Sequence, residues 1–108
     1  MTEGEIQKAV FAQFKSRPMP GVVAWHHPNH PSSRRKSGYL AGVADVCAVH
    51  LGKFYAIELK ADGGRASDDQ LKFRDNINGT EGYAVVAEGL DQAICILEEW
   101  GLLRKEVA

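Results

Sequence analysis

Hydrophobic positions recur along this chain with two periods, and the switches between them mark its elements. Ile6, Val10 and Phe14 repeat every four residues, as on one face of a helix, so Thr2 to Lys15 is predicted helical. Thr2 with Glu5 three residues later fits a capping box, which satisfies orphan amides at a helix start. Pro18, Pro20 and Gly21 end that helix. Val22 to His27, rich in β-branched and aromatic residues, predicts a short strand. Pro28 to Gly42 turns to Pro, Ser, Gly, Arg and Lys and predicts a long loop, of a size that is usually functional or disordered. Val43 to Val49 and Phe54 to Lys60 predict two strands joined through Leu51, Gly52 and Lys53. Ser67 to Asn78 is a second predicted helix, opened by another capping box, Ser67 with Gln70, and stopped at Asn78-Gly79. Tyr83 to Ala87 is a fourth strand. Leu90, Ala93, Ile94, Leu97 and Trp100 form the clearest helical stripe, so the chain closes on a helix.

The predicted order is therefore α-β-β-β-α-β-α. The strand-helix-strand stretch from Phe54 to Ala87 makes its two strands parallel, whereas the hairpin before it is antiparallel. The expected fold class is α/β: one domain over residues 1–108, with a mixed central sheet flanked by helices.

Three polar residues stand where a buried sheet should be apolar. Side chains alternate along Ala56-Ile57-Glu58-Leu59-Lys60, so Glu58 and Lys60 share one face while Ile57 and Leu59 turn to the core. Asp45 interrupts its own apolar strand in the same way. With Gly52-Lys53 as the turn, Asp45 faces Lys60 and has Glu58 as a diagonal neighbour. With Leu51-Gly52 as the turn, Asp45 faces Glu58 directly. Either register puts two carboxylates and one ammonium on one face, whereas a three-residue loop would put Asp45 on the wrong side unless a bulge corrected it. Two converging carboxylates repel unless a cation lies between them, and a hard divalent ion with oxygen ligands suits that place. Such an ion supports hydrolysis of a phosphoryl group, with Lys60 beside it to orient water or offset charge. Glu-x-Lys alone is common as an ion pair, and the capping boxes account for Glu5 and Gln70 without chemistry. Asp45 has no such ordinary explanation.

Composition narrows the classes. Of 108 residues, 44% are hydrophobic and 25% charged, which argues against disorder. The net charge of -1 means that any attraction to nucleic acid is local. Apolar runs fall well short of the ~18 residues of a membrane span, and the acidic Met-Thr-Glu-Gly-Glu start does not read as a signal peptide. The two cysteines lie in apolar runs and are expected to be buried, reduced thiols.

Gly42-Val43-Ala44-Asp45, then Glu58-Leu59-Lys60, then Gln70 on the following helix resemble the PD-(D/E)xK nuclease superfamily. More narrowly they resemble its VRR-NUC (virus-type replication-repair nuclease) domain, in which a GxxD motif, an ExK strand and a helix Gln form the site, often with a Glu on the first helix. His27-Pro28-Asn29 and the basic loop after it also look like the family's segment before GxxD. The resemblance runs from Glu5 to about Val86. Ala44 departs from it, since many members have Pro there, but the carboxylate is untouched. The resemblance implies a restriction-endonuclease-like fold and metal ligands Asp45 and Glu58, with the Leu59 carbonyl as a third. It implies Lys60 as the catalytic lysine, Gln70 as a positioning residue and Glu5 as a holder of metal-bound water. It further implies Mg²⁺ or Mn²⁺ and a homodimer cutting branched or Holliday-junction-like DNA in replication or repair. A bacterial or phage-encoded protein of the host cytoplasm is expected. The alternative is a non-catalytic nucleic-acid-binding module that keeps the nuclease fold.

Two weaker signals remain. Arg34, Arg35 and Lys36 form a basic run which, beside a nuclease site, is expected to contact phosphates. His26, His27 and His30, with Cys47 or Cys95, match no tetrahedral zinc spacing.

Overall fold

The computed structural model of the chain describes residues 1–28 and 37–106. Its elements follow the predicted order: α1 (Glu3–Ser16), β1 (Val23–His26), β2 (Val46–His50), β3 (Lys53–Lys60), α2 (Asp68–Asn78), β4 (Tyr83–Glu88) and α3 (Leu90–Glu99). The sheet runs β1-β2-β3-β4. β1 and β2, like β2 and β3, are antiparallel; β3 and β4, joined through α2, are parallel. Both capping boxes form, Thr2 with Glu5 and Ser67 with Gln70.

Strand alternation sorts the side chains onto two faces. On one, Val46, Ala48, Tyr55, Ile57, Leu59 and Ala87 meet Ile6, Val10 and Phe14 of α1 and Ala93 and Leu97 of α3. Leu102 and Leu103 join this larger core, because Gly101 takes a left-handed φ of 73° and turns the chain back under α3. On the other face, Cys47, Ala56 and Ala84 meet Phe73 of α2, together with Val43 and Ala44. Helices thus flank the sheet on both sides, but the second face has a single helix over it.

Two local features, one a choice between the two expected turns and one a departure from the expected start of β2, bear on the polar residues of β2 and β3. First, the turn between β2 and β3 is Leu51-Gly52, flanked by the pair His50 and Lys53. Both turn residues have positive φ, 52° and 78°, as a type I′ turn requires. Its twist matches that of the flanking strands, which offsets the roughly 1–2 kcal/mol that a left-handed Leu51 costs. Second, β2 starts at Val46 and not at Val43. Gly42 has a φ of 77° and its α-carbon is pressed on α2, so that a Cβ there would lie 2.2 Å from the Asp69 carbonyl oxygen. The segment after it is thereby committed to packing against Phe73, and pairing begins only beyond Asp45.

Cys47 is buried as expected, but Cys95 is exposed. Cys95 lies in the apolar run Ala93-Ile94-Cys95-Ile96-Leu97, which made burial the expectation. It follows Ile94, and one residue turns the helix by about 100°, enough to carry it off the stripe formed with Ala93 and Leu97.

Candidate active site

The Leu51-Gly52 turn sets the geometry of the polar residues. Val46 pairs with Ile57, so continuing the register by one residue puts Asp45 opposite Glu58. The ladder itself stops at Val46, and the Asp45 side chain takes over from it: the Leu59 N–H donates to Asp45 Oδ2 at 3.0 Å. From the other side, the Asp45 carbonyl accepts the His27 N–H at 3.2 Å and lies 2.9 Å from His26 Nδ1. Asp45 is therefore clamped between β1 and β3.

Glu58 is 4% exposed on the face covered by α2. Its Oε1 accepts from Gln70 Nε2 at 2.9 Å and lies 3.6 Å from Lys60 Nζ. Its Oε2 is buried and has no hydrogen-bond partner. Burial pushes the Glu58 carboxyl up to about 8, the Asp45 carboxylate adds to the rise, and the Lys60 charge opposes it. The same surroundings push the buried Cys47 thiol up to about 11, through burial first and then Asp45 and Glu58, which leaves it inert as a nucleophile.

Gln70 serves two partners with one amide. Its Oε1 accepts from Ser67 N–H at 2.8 Å in the capping box, and this turns Nε2 towards Glu58. Capping and the site are thus the same contact network, where the sequence reading set them as alternatives.

The first helix contributes a carboxylate, but from Glu3. Oxygens of Glu3, Asp45 and Glu58 all lie within 4.8 Å of one another, the one such cluster among the described residues. Glu3 Oε1 is also 3.5 Å from Lys60 Nζ. Glu5, expected here from the family pattern, lies outside this cluster. Its carboxylate accepts the Thr2 N–H at 2.9 Å, which holds its carboxyl below the usual range. The capping box that explained Glu5 in the sequence also consumes it; Glu3, on the first turn and outside the capping box, was the acid left to reach the sheet.

Leu59 turns its side chain into the larger core at 1% exposure while its backbone stands beside Asp45. Arg34, Arg35, Lys36 and His30 lie outside the described residues.

The donor set fits a hard cation. Three carboxylates face one ammonium, all candidate ligands are oxygens, and the Glu58 Oε2 has lost water without gaining a partner. A divalent ion is what these residues would accept.

No family model matches the sequence, and no curated protein matches it. Solved structures do resemble the fold. A "VRR_NUC domain protein" superposes with a TM-score of 0.78 at 23% identity, over 93% of this chain and 88% of that one. A second, "VRR_NUC domain", gives 0.67 at 17% identity, over 93% and 99%. With three helices and a mixed four-stranded sheet among the described residues, the chain has the VRR-NUC fold.

Proposed function

We propose that this chain is a metal-dependent DNA endonuclease that hydrolyses phosphodiester bonds and selects branched, Holliday-junction-like DNA in replication or repair. The observation that carries the reading is the cluster of Glu3, Asp45 and Glu58 oxygens around the unpartnered Glu58 Oε2. Asp45, Glu58 and the Leu59 carbonyl hold Mg²⁺ or Mn²⁺, with Glu3 taking the part expected of Glu5. When bound, such an ion polarises a phosphoryl oxygen and lowers the pKa of water. Lys60 orients the attacking water and offsets negative charge that develops on the phosphate, a role its place between Glu3 and Glu58 suits. Gln70 fixes the Glu58 rotamer through Oε1 and so leaves Oε2 free for a ligand. Arg34, Arg35 and Lys36 contact backbone phosphates, and a second copy of the chain completes the grip on a branched substrate. The resemblance in sequence motifs and the shared fold both support membership of the VRR-NUC family; a bacterial or phage-encoded protein of the host cytoplasm is proposed from the motif resemblance alone.

The test is incubation with single-stranded, duplex, flapped and four-way DNA, with and without Mg²⁺. Cleavage requiring Mg²⁺ is expected, strongest on the branched forms, and Asp45→Asn should abolish it. Asn can still accept the Leu59 N–H, and the change removes one of three mutually repelling carboxylates. The metal-free variant should therefore melt at the same temperature or higher. DNA binding without any cleavage would instead establish the non-catalytic module.

A further inference from the structure

Trp25 stands on the same sheet face as the carboxylates and has no helix over it among the described residues. It pairs with Cys47, and Asp45, two residues before Cys47, holds its carboxylate beside that of Glu58 on the face of Cys47 and Ala56. Such diagonal neighbours are about 7–8 Å apart between α-carbons. The cluster around Phe73 of α2 takes in Cys47 and Ala56 but not β1, so Trp25 remains 39% exposed. Phe54 braces it on one side, the ring centroids 6.5 Å apart and tilted by 50°. Its position relative to Asp45 is set by the hydrogen bonds of His26 and His27 to the Asp45 carbonyl. The residues paired around it, Val23, Cys47, Val49 and Phe54, carry no charge. That floor suits an uncharged planar group and offers nothing to a phosphate.

We propose that Trp25 is a stacking platform for an unpaired nucleobase of the strand being cut, one or two nucleotides from the phosphate at Asp45 and Glu58. The proposal rests on the nuclease reading and deepens it by naming the feature of DNA that is selected. Successive nucleotides in a duplex strand rise by about 3.4 Å, so the span from Asp45 to Trp25 covers roughly two stacked nucleotides or one extended one. Indole stacking tolerates any base, because every base has a π-face. A base can reach Trp25 only by leaving its pair, which is least costly at a branch, flap or end. The uncovered ring thus gives a physical basis for preferring interrupted duplexes.

The experiment measures binding of the full chain in EDTA, so that nothing is cut, to a labelled blunt duplex and to the same duplex with a single-stranded arm. Trp25→Leu keeps apolar volume without a π-face, and Trp25→Phe keeps the π-face. Trp25→Leu should weaken binding to the armed duplex about tenfold and change the blunt duplex less than about twofold, while Trp25→Phe keeps most of the arm preference. Equal effects on both duplexes, no effect on either, or Leu performing as well as Phe would overturn the proposal. So would sedimentation showing a dimer in the parent chain and a monomer in Trp25→Leu, since the ring would then belong to an interface between copies. Cleavage with Mg²⁺, run in parallel, keeps the two readings apart. An arm preference lost with Trp25→Leu in a chain that cuts nothing would overturn the nuclease and leave the platform. Cleavage with no arm preference would do the reverse.

Discussion

Glu58 shows what the fold demands of one side chain. In the metal-free protein its carboxyl titrates near 8, well above the ordinary 4.5, because charging it means burying an anion beside Asp45. Between those values the folded state holds a proton that the unfolded chain has already released, so the contribution of Glu58 to stability is full below about pH 4.5 and is lost as pH rises towards 8. The melting temperature measured in EDTA should fall across this window, and Glu58→Gln, which cannot ionise, should flatten the fall. A slope unchanged by that substitution would place the titration elsewhere. Both carboxylates were legible as candidates in the sequence, since Asp45 broke an apolar strand and Glu58 and Lys60 shared a face. Local pattern gave Gln70 only as a cap, and its place in the site came from the family resemblance, because nothing local indicates that its second end reaches another strand.

At the scale of elements, the close approach of the Gly42 loop to the start of α2 joins the two halves of the site. Asp45 follows the loop and Gln70 sits on the helix, so the contact sets their separation. Gly42→Ala would put a methyl 2.2 Å from the Asp69 carbonyl oxygen and 2.7 Å from the Gln70 nitrogen, in a backbone conformation with φ 77°. Strain of this kind costs about 1–3 kcal/mol before any clash is relieved. Urea unfolding should show a loss of at least about 2 kcal/mol. Cleavage should fall even where the variant is fully folded, because relief of the clash moves α2. An active variant of parental stability would show that the loop can yield. By contrast, a methyl added at Gly52 would meet nothing within 4 Å, and the task of that glycine is the turn alone.

At the scale of the molecule, a net charge of -1 leaves no general attraction to DNA, so affinity has to come from local groups. Replacing Arg34, Arg35 and Lys36 together by Ala should weaken DNA binding and reduce the slope of log K against log salt by roughly 2–3, at ~0.9 per lost duplex phosphate contact. Lys60→Ala should keep that slope and lose turnover, because Lys60 is held at the carboxylates and not along the backbone track. Binding titrations over a salt series, paired with single-turnover cleavage, separate the two. A slope unmoved by the triple substitution would remove the loop from the interface. Among the described residues no helix is long and apolar enough to cross a membrane, consistent with the short apolar runs.

The sequence by itself determined the seven elements, their order and the face each strand residue takes, because periods of two and near four are local and strong. It determined that Glu58 and Lys60 share a side and that Asp45 joins them, since either hairpin turn preserved this. Only the tertiary structure decided between the turns. That choice depends on how strand twist and buried pairs such as Val46 with Ile57 balance the cost of a left-handed Leu51, a small difference between two long-range arrangements. Likewise it decided that Glu3 and not Glu5 meets the carboxylates, that Cys95 faces solvent and that Trp25 stays bare. Each of these turns on where one packed element ends above another. Periodicity along a chain fixes the direction of a side chain from its own axis, but not what stands opposite it.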